Sequence, residues 1–264
     1  MKLAFDLISD LHVETWDAPI DWSGQATSMM CVVAGDISRD RAVVVDTLRH
    51  LGECYRAVFY IDGNDEHRYS LDDIGESYKS LAEELENIPN VTYLQDNVCI
   101  VDGVAFLGTN AWWTYDLDAH VDYDQTKLWF QDRYQTNRAV ADAVEAMALQ
   151  DFAYLAKSIQ RLQTHRDVKK IVVVTHTVPM LELINHDLEI ADTYRINTTG
   201  NSHILKVLNG DTENKVAAWC FGHYHGNVDT DLGGSIRYVN NCRGRGNTPW
   251  SKSVYYPKRI EISV

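Results

Sequence analysis

The chain has 264 residues, 45% of them hydrophobic and 23% charged. That is enough for one substantial core, and no apolar run approaches the ~20 residues that span a bilayer. A formal net charge of −14, from 38 acids against 24 bases, offers no long-range attraction to a nucleic-acid backbone. The five cysteines are odd in number and form no CxxC pair, which argues against a disulfide framework and a thiolate zinc site.

The N-terminal stretch Met1 to Ile8 carries Asp6 inside its apolar run and lacks the long uncharged core of a secretory signal. A cytoplasmic protein is expected on that ground. In chain order, short β-branched runs predict strands at Leu3–Ile8 and Met30–Ala34, followed by a helix at Asp40–Leu51. A strand at Arg56–Ile61 and a helix at Ser70–Glu86 come next, then a strand at Val104–Leu107. The segment from Trp112 to Gln135 holds three of the seven tryptophans without a clear period. It reads as an ordered surface loop or substrate cap, because its aromatics need somewhere to pack. Beyond it lie the clearest helix, Thr136–Thr164, a strand at Lys170–Val174, a short helix at Ser202–Leu208 and a strand at Val216–Phe221. From Gly226 onward the glycine-broken pattern predicts a meander of antiparallel strands and loops.

Five polar clusters follow these strand ends: Asp10-Leu11-His12, Gly35-Asp36, Gly63-Asn64-Asp65-Glu66-His67, Thr175-His176 and Gly222-His223-Tyr224-His225. In an open α/β sheet, ligand sites assemble at the carboxyl ends of strands, so the five are expected to converge. Alternate positions in Asp-x-His and His-x-His let two side chains reach one region. Mixed carboxylate, imidazole and amide donors suit Mn, Fe or Zn better than an all-oxygen Mg²⁺ or Ca²⁺ cage. A bridging aspartate would hold two divalent ions ~3.5–4 Å apart.

In this order the blocks resemble the calcineurin-like metallophosphoesterase superfamily, with looser likeness to its small stand-alone bacterial and phage members. The family pattern D-x-H, G-D, G-N-H-[E/D], H and G-H-x-H matches Asp10/His12, Gly35/Asp36, Gly63/Asn64/Glu66, His176 and Gly222/His223/His225. The resemblance, over residues 6 to about 245, implies a four-layer α/β/β/α sandwich of two mixed sheets flanked by helices; one domain over residues 1–264 is expected, with the 112–135 segment as its candidate cap insertion. It implies that Asp10, His12, Asp36 and His225 hold one metal, and that Asp36 joins Asn64, His176 and His223 at the second. The implied activity is hydrolysis of a small phosphate ester by a hydroxide bridging the two metals.

One position departs from the pattern: Asp65 stands where the family has the histidine that serves the leaving group. Asp65 could donate a proton only with a pKa raised well above ~3.9, which two nearby cations oppose. His67 has the better intrinsic pKa for that task. The missing histidine favours a phosphodiester or activated phosphate over a phosphomonoester or phosphoprotein. Arg39 and Arg243 are candidates to fork onto a substrate phosphate. A nuclease is disfavoured by charge, and a non-catalytic metal-binding scaffold by the retention of all seven ligand positions.

Overall fold

The structure is a computed structural model that describes residues 2–18, 20–184, 193–246, 248 and 253–264. Among the described residues, eleven strands form two sheets. In the first sheet, β1 (Lys2–Ile8), β2 (Met30–Ala34), β3 (Ala57–Ile61) and β4 (Val91–Tyr93) run parallel, and β11 (Lys258–Ser263) pairs antiparallel with β1 at the edge. The second runs in the order β5 (Asn97–Val101), β6 (Val104–Thr109), β7 (Lys170–Thr175), β8 (Val216–Phe221), β10 (Arg237–Asn240), β9 (Asp229–Thr230). Its four central strands are parallel and both edges antiparallel.

Alternation along each strand sets the layers. Phe5, Leu7, Val32, Ala34, Phe59 and Ile61 of the first sheet meet Phe106, Val172, Val174, Ala218 and Cys220 of the second in one inter-sheet core. There Phe106 stacks on Phe59 at 4.2 Å and meets Phe5 edge-on. The intervening residues face outward onto helices. Cys31, Val33, Val58 and Tyr60 pack under α1 (Arg41–Cys54) and α2 (Ile74–Leu85), while Ala105, Leu107, Ile171, Val173 and Trp219 pack under α4 (Arg138–Gln163). The central parallel strands are covered on both faces, which is why they read as unbroken apolar runs. The four-layer arrangement is the one expected.

Helix starts follow capping chemistry. Asp40 accepts from the amides of Ala42 and Val43, and Asn137 from that of Val140, so both stand just outside helices the sequence began one residue or more too early. Between Trp112 and Gln135 lies an unanticipated helix, α3 (Tyr123–Tyr134), capped by Asp122. The Ser202–Leu208 helix is instead 3₁₀ in form, over Ile204–Gly210. The C-terminal meander is also corrected: β10 lies parallel to β8, and β11 leaves for the other sheet, where Ile260 and Ile262 complete the inter-sheet core.

Candidate metal centre

Each of the seven candidate ligands stands just past the carboxyl end of a parallel strand. Asp10 and His12 follow β1, Asp36 follows β2, Asn64 follows β3, His176 follows β7, and His223 and His225 follow β8. The turns that bring them inward are unusual. Asp10, His12, Asp36 and His223 all have positive φ, between 42° and 62°, in a region that disfavours residues other than glycine. Glycines leave room beside them: a Cβ on Gly63 would strike the Asp36 carboxylate, and one on Gly222 would stand 2.6 Å from Asp10 Oδ2.

The donor atoms fall into two adjoining sets, Asp10 with His12 and His225, and Asp36 with His176 and His223. His12 Nε2 lies 2.9 Å from His225 Nε2, which is 3.5 Å from Asp10 Oδ1. In the other set His176 Nε2 lies 3.2 Å from both His223 Nδ1 and Asn64 Oδ1. Asp36 faces both: Oδ1 is 3.4 Å from His176 Nε2, and Oδ2 is 3.7 Å from His12 Nε2.

Surrounding groups fix these orientations. His176 Nδ1 donates to the Ala34 carbonyl at 2.9 Å and His223 Nε2 to the Thr198 carbonyl at 3.0 Å, so each ring turns its lone pair to the cluster. Cys242 Sγ and the His223 amide donate to the two oxygens of Asp10, each at 2.9 Å. Glu66 accepts from the amides of Asp36, Ile37 and Gly63 and from the Tyr60 hydroxyl, tying the β2 and β3 loops together. Trp113 stacks on His223 with ring centroids 5.6 Å apart.

Burial, then the charges of Asp65 and Asp10, pushes the Asp36 carboxyl well above its usual range. Burial and the neighbouring His176 push His223 well below the usual imidazole range, leaving a neutral ring. Buried acids and imidazoles thus face one another in two adjoining sets, and this donor set fits two divalent metals.

The remaining candidates have other surroundings. Asp65 Oδ2 lies 3.3 Å from His12 Nδ1 and pairs with Arg39 Nε at 3.2 Å and with Arg245 Nη2. Burial opposes its ionisation, but His12, Arg245 and Arg39 outweigh this and hold the carboxyl well below its usual range. Its amide donates to Asp36 Oδ1 at 2.8 Å. His67 is not brought to the cluster: fully buried, it shares Nε2 with Asp62 and Nδ1 with Ser77, both at 2.8 Å. Arg243 turns away and lies over the Trp16 ring at 3.9 Å. Arg245, Cys242 and Trp113 were missed in the sequence. The alternating Arg243-Gly244-Arg245-Gly246 carried a signal for the first of them, but spacing could not tell which arginine faces the centre.

No family model matches the sequence, and no curated protein matches it. Solved structures do match in fold. A phosphopantetheinyl hydrolase from Mycobacterium tuberculosis superposes with a TM-score of 0.68 at 17% identity, over 94% of each chain. A dimetal phosphatase from Danio rerio superposes with a TM-score of 0.52 at 14% identity, over 97% of this chain and 91% of the other. The fold is the one the resemblance implied.

Proposed function

We propose that this chain hydrolyses phosphate esters with two divalent metals, of the Mn, Fe or Zn type, held by Asp10, His12, Asp36, Asn64, His176, His223 and His225. The observation that carries the reading is Asp36, whose two oxygens face two different sets of donors. The two structural neighbours, a dimetal phosphatase and a phosphopantetheinyl hydrolase, support the reaction class. When bound, the ions supply Lewis-acid chemistry: water activation near neutral pH and neutralisation of charge on phosphoryl oxygens.

The chain's own residues divide the remaining work. Asp36 sets the spacing of the two positions, and the carbonyls of Ala34 and Thr198 keep His176 and His223 in the ligating tautomer. Asp65 is a positioning residue: held as a carboxylate, it orients His12 and has no proton to give. His67 braces the loop after β3 against Asp62 and α2. With no acid at position 65, the reading favours phosphodiesters or activated phosphates, whose leaving groups need little protonation. Arg39 and Arg245, both held beside the centre by Asp65, are the guanidinium groups we assign to a bound phosphate.

The test is hydrolysis of an aryl phosphodiester and the matching monoester by metal-stripped protein supplied with Mn²⁺, Fe²⁺ or Zn²⁺. Diester hydrolysis is expected to return with metal and to fall roughly a hundredfold or more in Asp36→Asn, while Asp65→His gains monoesterase activity. Absence of turnover with every metal overturns the enzymatic reading. Monoester preference in the wild type overturns the diester assignment alone.

A further inference from the structure

Asp62 stands one position past β3, fully buried and outside both donor sets. Its Oδ2 accepts from His67 Nε2 and from Asn110 Nδ2, each at 2.8 Å, and its Oδ1 accepts from the Tyr93 hydroxyl. Asn110 Nδ2 also reaches the Asp62 carbonyl at 3.1 Å. A single carboxylate from the first sheet is thereby tied to the loop that follows β6 in the second.

The two partners of Oδ2 lead to two candidate ligands. The His67 amide donates to the Asn64 carbonyl at 3.3 Å, and the far side of its ring is held by Ser77 of α2, which accepts in turn from Arg41 of α1. The Asn110 carbonyl accepts from the amides of His176 and Thr177 at 3.1 and 3.2 Å. Asn64 follows β3 and His176 follows β7, yet their side chains meet at 3.2 Å in the same donor set. Among the described residues, no hydrogen bond joins Asp62, His67 or Asn110 to Asp10, His12 or His225 of the other set.

A buried carboxylate that gathers several donors fixes them together, and its loss leaves each of them unsatisfied and free to turn. Hydrogen bonds behind a ligand set its orientation, and with it the affinity for the ion. We propose, on the two-metal reading above, that Asp62 is a positioning residue for one of the two metal positions: by holding His67 and Asn110 on one oxygen, it sets Asn64 against His176 across the two sheets.

The test is Mn²⁺ titration of metal-stripped protein followed by electron paramagnetic resonance, in which a coupled pair of ions and a lone ion give different signals. Wild type is expected to bind two ions as a pair. Asp62→Ala and Asn110→Ala are expected to weaken one binding step roughly tenfold and leave the other unchanged, so that at two equivalents the lone-ion signal gains at the expense of the pair. Tyr93→Phe removes a bond to the other oxygen and leaves both Oδ2 partners in place. It is expected to lower the thermal midpoint and keep both steps, which separates positioning from bulk stability. Should Asp62→Ala not fold, the other two variants decide. The assignment is overturned if a folded Asp62→Ala or Asn110→Ala binds as the wild type does, if both steps weaken alike, or if Tyr93→Phe weakens the same step as far. Fewer than two ions in the wild type overturns the two-metal reading itself.

Discussion

Asp65 sits between an imidazole and two guanidinium groups, its Oδ2 3.3 Å from His12 Nδ1; with an ion on His12 it would be the outer member of a carboxylate–histidine–metal relay. Removing it in Asp65→Ala leaves His12 free to turn and frees Arg39 and Arg245. Affinity for the ion at Asp10, His12 and His225 is expected to fall roughly tenfold to a hundredfold by metal titration, with overall stability little changed; unaltered affinity would remove Asp65 from the relay. Away from the centre, Asp151 on α4 accepts from Thr109 Oγ1, Gln95 Nε2 and the Trp112 amide. Burial pushes its carboxyl up to about 7. The native state therefore keeps a proton that the unfolded chain loses above ~4, so this group's contribution is fully present below pH 4 and drains away as pH rises to 7, by up to about 4 kcal/mol. Asp151→Asn cannot titrate, and denaturation curves between pH 4 and 8 should show a smaller fall in stability with pH than the wild type; parallel profiles would refute the assignment. The candidate metal ligands stood out in the sequence because they recur in a fixed order of short blocks, and the structure brings them together. Arg245 and Cys242 were not, because their partners Asp65 and Asp10 are distant in sequence and meet them only across the fold.

The strands and the long helices were legible as elements, since their apolar runs and three-to-four spacing survive in the structure. Helix α3 escaped because it has no apolar stripe to detect. Phe130 packs with Trp113 and Tyr115, and Lys127, 1% exposed at its side chain, reaches Asp142 and Glu145 of α4 at 2.8 and 2.7 Å. The aromatics of the 112–135 segment thus pack inward against α4, and one of them touches a ligand ring. Phe130→Ala is expected to cost about 3–5 kcal/mol of stability in urea denaturation. A loss below 1 kcal/mol would mean that α3 docks through its ion pairs instead. Strands β4 and β5 were missed: β4 is only three residues long, and the Val98–Val101 run of β5, half-buried at the sheet edge, was not read as a strand.

At the scale of the whole molecule, the seven candidate ligands come from strand ends of both sheets, so an ion held there would clamp one layer to the other. Chelation is expected to lower the thermal midpoint, and Mn²⁺ to restore it in a concentration-dependent way, as linkage requires of a ligand that binds only the folded state. A midpoint indifferent to metal would count against the site. Among the described residues no helix is long and apolar enough to cross a membrane. The −14 charge gains a local meaning: part of it is concentrated in the buried acids Asp10, Asp36 and Asp65.

The hydrogen bond from the His223 amide to Asp10 joins residues 213 positions apart in the chain. During synthesis the first ligands emerge early and must wait for nearly the whole polypeptide before their partners exist. Contacts of such separation are the slowest to close. The centre is thus among the last features to assemble, and its completion marks a chain in which both sheets have already found each other.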